Sequence, residues 1–320
     1  MLSQMEIIFY GLLHLAPTER SVANVSVKNF DEQLLIYVEC ALTLSNSMRS
    51  KGLKFVLLTN RRQRILEIVN SLGQRLDVEE IPFTTEVPTG ISFYSDHHKI
   101  DCYRYFSKMK NTYAFLIDLD IICLRQLPLS LKQTIEAGLL IAYDISDQVI
   151  PAHGADKIRS DLEIIHGVNS EGRWYGGEFI GATPPLYKKL VDAIESIYLN
   201  YMRNTTLKHH SGVEPLTSAA IELLKLNAIQ TVDAGSLGII GRYWNSRTMH
   251  PQKPLKYFLG SFLLHVPSDK KFLAKLSRKS PMVTERFIGF YRSNQRRSYL
   301  FRRPALRIRD FIRRLSSRAT

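Results

Sequence analysis

Two carboxylates, Asp118 and Asp120, interrupt the apolar run FLIDLDIICLR at residues 115–125. Ionised carboxylates in such surroundings are costly unless a cation compensates them, and a divalent metal carrying a phosphate ester is a common compensation. Side chains alternate with period two along extended chain, so Asp-X-Asp sets both carboxylates on one side, within reach of a single ion. Acidic residues also end strands and cap turns, and the tripeptide alone fits that role too.

The residues around the pair define what must hold it. Segments reading as strands at 7–13, 53–59, 78–81, 113–118 and 138–144 alternate with segments reading as helices at about 31–51, 61–73 and 96–109. This is the pattern of an α/β fold with a mostly parallel sheet and flanking helices, whose ligands bind at the carboxyl ends of strands, where Asp118 and Asp120 fall. Neither GxGxxG nor GxxxxGK[ST] is present, which removes the main support for dinucleotide and P-loop readings. Residues 147–168 are polar and mixed, compatible with a loop or a short helix. Gly176 and Gly177, inside the aromatic strand that follows, require a close approach of backbone or ligand, or mark a β-bulge. His265 ends an apolar strand (262–264), where it is either a hydrogen-bonded core histidine or a metal ligand.

The Asp-X-Asp behind a buried strand, with His97, His98, Lys99, Asp101 and Arg104 on the preceding helical segment, resembles the nucleotide-sugar-dependent glycosyltransferases of the GT-A fold. In that family the motif holds Mn²⁺ or Mg²⁺ against the donor diphosphate. Tyr175, Gly176, Gly177, Phe179 and Gly181 resemble the Tyr-X-Gly-Gly-X-Phe-X-Gly segment of the retaining α-galactosyl and N-acetylgalactosaminyl transferases of the blood-group type, which lies beside the transferred sugar and its acceptor. Those enzymes then carry an acidic dipeptide opening a helix, with its glutamate under the anomeric carbon. Glu214 corresponds to that glutamate, and the acid before it is replaced by Val213. A glutamate ahead of Pro215 also suits the first turn of any helix. Tyr103 with Arg104, and His265 with Lys271, are similar to motifs of the glycogenin-like and lipooligosaccharide galactosyltransferases; the KPW ending of that group is absent.

These resemblances imply a GT-A catalytic domain over residues 1–271. They imply a metal, Mn²⁺ or Mg²⁺, on Asp118, Asp120 and His265; donor contacts from Tyr10, Lys99, Arg104, Asp118, Gly176, Gly177 and Lys271; and catalysis by Glu214, with Glu178 orienting the acceptor. The implied reaction moves a hexose, galactose from UDP-galactose, with retention onto a lipid-linked surface-polysaccharide or lipopolysaccharide glycan of a bacterium. An inverting enzyme of the same fold and a sugar nucleotidyltransferase are the alternatives, although the segment 18–24 is a poor version of the Gly-rich basic loop a nucleotidyltransferase needs.

Composition adds where such a protein would work. Three cysteines, Cys40, Cys102 and Cys123, form no CxxC pair, which suits a reducing compartment. The apolar N-terminus lacks a basic region and is broken by Glu6, unlike a signal peptide, and no run is long enough to span a bilayer. Of the net charge of +13, residues 286–320 carry most, with eleven arginines against the single acid Asp310. There Ile308, Phe311, Ile312 and Leu315 follow one helical face, so residues 272–320 read as a basic amphipathic extension for an anionic membrane surface. No nucleic-acid module accompanies that charge, and nucleic acid is set aside as a partner. The expected location is cytoplasmic, peripheral on the inner face of the cytoplasmic membrane.

Overall fold

The computed structural model describes residues 5–16, 29–87, 93–204, 212–246, 248–278 and 286–297; the amphipathic stretch 308–315 and most of the basic tail lie outside them. The chain divides into two units, Met1–Pro281 and Met282–Thr320. In the second, residues 286–297 are helical, with Phe287 and Tyr291 buried and their rings stacked 5.5 Å apart.

The first unit opens with the alternation its periodicity predicts: β1 (Glu6–Leu13), α1 (Phe30–Arg49), β2 (Lys54–Thr59), α2 (Arg62–Ser71) and β3 (Val78–Glu80). A 3₁₀ turn, Tyr94–His98, then leads into α3 (Lys99–Phe106), so the single helix expected over 96–109 is two pieces of different pitch. Next come β4 (Thr112–Ile117), β5 (Ile121–Cys123), α4 (Leu129–Glu136) and β6 (Leu140–Asp144). The polar stretch after β6 forms two helices, α5 (Ser146–His153) and α6 (Ala155–His166), separated by Gly154 at φ +92°. The chain continues through β7 (Tyr175–Ala182), α7 (Pro184–Arg203), α8 (Glu214–Leu226), β8 (Thr231–Asp233), β9 (Ile240–Arg242), α9 (Leu255–Phe258), β10 (Leu263–His265) and α10 (Lys270–Leu276).

Seven strands form the main sheet in the order β3-β2-β1-β4-β7-β6-β8; all pairings are parallel except the two made by β7. The α/β class with a mostly parallel, helix-flanked sheet is therefore as expected. All six residues of β4 are buried, which explains its continuous apolar run; water reaches neither face of a central strand covered by helices. Phe9 of β1 stacks on Phe115 of β4 at 4.6 Å. A second, three-stranded sheet runs β5-β10-β9, with β10 antiparallel to β5 and parallel to β9. The strand expected at 113–118 ends at Ile117, and β5 is a separate strand of the second sheet. Leu119 and Asp120 form a turn that passes the chain from one sheet to the other. Leu119 is seated against Gly11 of β1, where any Cβ would collide with its side chain.

Register shifts between Ala142 and Tyr143 opposite β7, so the double glycine does sit at a bulge. It also answers to close approach. A Cβ on Gly176 would overlap the Glu178 carboxylate, and one on Gly177 would stand 3.1 Å from Lys99 Nζ. Cys40, Cys102 and Cys123 are buried free thiols. Among the described residues no helix is long and apolar enough to cross a membrane.

Candidate active site

Asp118 follows β4 and Asp120 precedes β5, so the turn, and not strand periodicity, brings their carboxylates to one place. The partner element is β10. Its pairing with β5 sets His265 opposite Ile121, and Val266 N donates to the Asp120 carbonyl at 3.0 Å. His265 Nε2 lies 3.0 Å from Asp120 Oδ1 and 3.9 Å from Asp118 Oδ2. Ligand atoms of the three residues all fall within 4.8 Å of one another.

Lysines hold the outer oxygens. Lys99 Nζ, from the start of α3, donates to Asp118 Oδ1 at 2.8 Å and to the Gly177 carbonyl at 2.8 Å. Lys270 Nζ, from the first residue of α10, donates to Asp120 Oδ2 at 2.5 Å and to the Pro267 carbonyl at 3.2 Å. Helix α10 is itself fixed on α1, because Cys40 Sγ and Thr43 Oγ1 donate to the Lys270 and Leu273 carbonyls. Burial opposes charge on both lysines, but their carboxylate neighbours outweigh it and keep them protonated. Asp120 likewise stays ionised far below the usual carboxylate range, because Lys270 and His265 overcome its desolvation.

The donor set fits a hard or borderline divalent cation: two carboxylate oxygens and one imidazole nitrogen converge while the lysines engage the oxygens turned away. His265 also has the outer partner a ligating histidine commonly needs, since its Nδ1 lies 3.4 Å from Glu178 Oε1. As the structure stands, burial works against a charged imidazole, but Asp120 and Glu178 lift its pKa to about 9. The residues fit Mn²⁺ or Mg²⁺, and the ion would take the place of a proton on His265.

The triad opens on a cavity of about 360 Å³ between the carboxyl ends of β1 and β4, α1 and the start of α8. Glu214 faces it from the first turn of α8. Its carboxylate caps no helix backbone; it accepts from Trp174 Nε1 at 2.9 Å and from Gly177 N at 3.3 Å. Burial, then the nearby Glu178, raises its pKa. Glu178 is buried between His265 and Arg242, whose Nη1 lies 3.4 Å away. Its oxygens are thus directed at His265 and Arg242, a different geometry from the acceptor contact the resemblance implied.

Three expected donor residues lie elsewhere. Lys271 is one residue past the inward lysine, about 100° around the helix, and half-exposed beside Glu32 at 4.0 Å. Arg104 binds Asp101, Thr85 and Glu195, stapling residues 84–85 to α3. Tyr10 packs on Phe106 at 4.8 Å with its hydroxyl toward Met109, behind the strand end that lines the cavity. The polar cavity residues that the sequence did not single out include Asp96, Trp174, Arg242 and Lys270. Only Lys270 left a trace, in the paired lysines 270–271. On the wall beyond Glu178, Arg242 Nε donates to Gln148 Oε1 at 2.9 Å, yet Arg242 Nη2 and Trp244 Nε1 are buried with no hydrogen-bond partner among the described residues.

No protein-family model matches the sequence, and no curated protein is similar to it. Among solved structures, the apo form of WbbM, described as a bifunctional glycosyltransferase, is similar at 10% identity and a TM-score of 0.48, over 83% of this chain and 46% of its own. The chain therefore spans less than half the length of that protein.

Proposed function

We propose that this chain is a metal-dependent glycosyltransferase that moves a hexose from a nucleoside-diphosphate sugar to a glycan acceptor. The observation that carries the reading is the convergence of Asp118, Asp120 and His265 at the carboxyl end of β4, within a cavity large enough for a ligand and flanked by Lys99 and Lys270. A divalent ion held there would neutralise charge on the leaving diphosphate. The chain's own residues do the rest. Lys270 and Lys99 fix the two carboxylates and add positive charge for phosphate oxygens. Trp174 and the Gly177 amide hold Glu214 toward the cavity, where it would face the positive charge that develops at the anomeric carbon as the bond to phosphate breaks. Glu178 keeps His265 oriented.

The finer reading follows the motifs quoted from the sequence. The donor is UDP-galactose, the anomeric configuration is retained, the acceptor is a lipid-linked glycan, residues 1–271 form the catalytic domain, and the basic segment 272–320 rests on an anionic membrane from the cytoplasmic side. Isothermal titration with UDP, with and without Mn²⁺, tests the core of the proposal. UDP should bind, and bind more tightly with the metal; equal turnover in EDTA and in Mn²⁺ would remove the metal from the reading. Proton NMR of the product then reads retention directly, an α-linked donor giving an α-linked product.

A further inference from the structure

Five carboxylates line the cavity, and four of them are hydrogen-bonded: Asp118 to Lys99, Asp120 to Lys270 and His265, Glu178 to His265, and Glu214 to Trp174 and Gly177. The fifth, Asp96 on the 3₁₀ turn before α3, has no side-chain hydrogen bond or ion pair among the described residues. Its position is made by a glycine: a Cβ on Gly212 would stand 3.2 Å from Asp96 Oδ2 and 3.7 Å from Phe93 Cβ. Gly212 lies two residues before Glu214. Between them is Val213, fully buried and apolar, at the position where the resembled pattern carries a second acid. A carboxylate missing from that place in the sequence is thus supplied beside Glu214 from a different element. Burial, with Asp118 and Glu214 nearby, lifts the Asp96 pKa to about 6 against the pull of Lys99, and the part-exposed carboxylate lines the cavity without a protein hydrogen bond among the described residues.

An ionised carboxylate only accepts hydrogen bonds, and its two oxygens suit a pair of hydroxyl donors. A diphosphate offers no donor to such a group, whereas sugar hydroxyls do, and the place of Asp96 near Glu214, which faces the anomeric carbon in the proposed reaction, selects those of the hexose. We propose that Asp96 reads the transferred hexose, accepting hydrogen bonds from its hydroxyls between Asp118 and Glu214, and so sets which sugars the enzyme transfers. The proposal rests on the glycosyltransferase reading. A site built around a polar group rejects ligands that leave it unpaired far more strongly than an apolar pocket rejects a misfit.

The test is calorimetry in Mn²⁺ with UDP and a panel of UDP-hexoses, including UDP-galactose, UDP-glucose and deoxy analogues of the tightest binder. It is run on wild type, Asp96→Asn and Gly212→Ala. In wild type the preferred UDP-hexose should bind more tightly than UDP. Asp96→Asn should weaken it by about tenfold or more while UDP affinity stays unchanged, as expected for one charge-assisted hydrogen bond lost. Gly212→Ala, which displaces the carboxylate without removing it, should give a smaller loss of the same kind. One deoxy donor should bind wild type weakly and be indifferent to Asp96→Asn. The proposal is overturned if Asp96→Asn keeps the full preference for hexose, or if it loses turnover with hexose affinity intact, which would make Asp96 a base. Absence of UDP binding by wild type overturns the transferase reading and this proposal together, whereas UDP binding with an unaltered hexose preference in Asp96→Asn overturns this proposal alone.

Discussion

Two adjacent regions of the cavity wall solve the problem of buried polarity in opposite ways. At the Asp118–Asp120 end every charge has an opposite: Lys99, Lys270 and His265 saturate the carboxylates, and Glu178 saturates the histidine. On the neighbouring β9 and just beyond it, Arg242 Nη2 and Trp244 Nε1 are buried donors with no hydrogen-bond partner among the described residues. The first arrangement is rigid before any ligand arrives, as a reacting centre needs to be. The second leaves donors without a protein partner, as on a surface whose last hydrogen bonds come from water or from what it binds.

Asp120→Asn attacks the saturated end and should have the largest effect. Removing one partner of a buried ion network leaves Lys270 without its carboxylate and His265 with Glu178 as its near one, at a cost of about 3–5 kcal/mol in urea unfolding. Nucleotide release should fall on the order of 10³-fold. An unfolding midpoint equal to wild type would mean that the charges at this end are not mutually dependent. The neighbouring lysines give a sharper contrast. Lys270→Ala should cost about 2–4 kcal/mol and most activity, because Asp120 loses a buried cation, whereas Lys271→Ala, at a half-exposed pair, should change stability by less than about 0.5 kcal/mol. Equal effects at the two positions would show that α10 is rotated relative to the structure described.

A pH titration probes the support behind the saturated end. His97 is fully buried on the 3₁₀ turn, its Nε2 2.7 Å from the Tyr201 hydroxyl, and burial lowers its pKa to about 4. An unfolded histidine titrates near about 6.5, so the unfolded chain takes up a proton that the folded chain refuses as pH falls from there toward 4. Stability from this group is therefore complete above that range and lost on descending through it. His14, lowered to about 4 mainly by burial, adds a second such contribution. Urea midpoints should decline from pH 6.5 to 4, and His97→Gln should flatten part of that decline; an unchanged slope would show that His97 is protonated in the folded protein. The smallest effect belongs to the segment after β9: Trp244→Phe removes a donor with no partner among the described residues and should stabilise the protein by up to about 1 kcal/mol, read as a raised urea midpoint. A loss of stability would mean that the indole already has a partner.

How much of this was legible in the sequence follows from the range of the forces involved. The alternation of β1 through β6 shows in the hydrophobic period, because each element buries a regular face. Asp118, Asp120 and His265 were visible for a similar reason, as polar residues in or at the ends of apolar strands. Lys270 and Lys271 were exchanged because a spacing counts residues, while the first turn of α10 assigns one side chain inward and the next to solvent. The split of α3 from its 3₁₀ turn was hidden, and with it Asp96, since an aspartate in a polar helix-like segment is indistinguishable from one at a surface. Arg242 and Trp174 left no local signal. Their partners, Gln148 and Glu178 for the one and Glu214 for the other, lie far off in the chain, and only the completed fold brings them together.

Leu119, the residue between the two aspartates, fills the space that Gly11 leaves open on the first strand. The position of the carboxylates is therefore inherited from a residue that touches no ligand and carries no functional group. In a lineage of such chains, residue 11 would be held as tightly as the aspartates themselves, and a drift to alanine there would need Leu119 to shrink and the Phe55 ring to give way in the same step. Selection on the chemistry would then reach back to the first strand, and a survey of tolerated substitutions would find the two positions changing together or not at all.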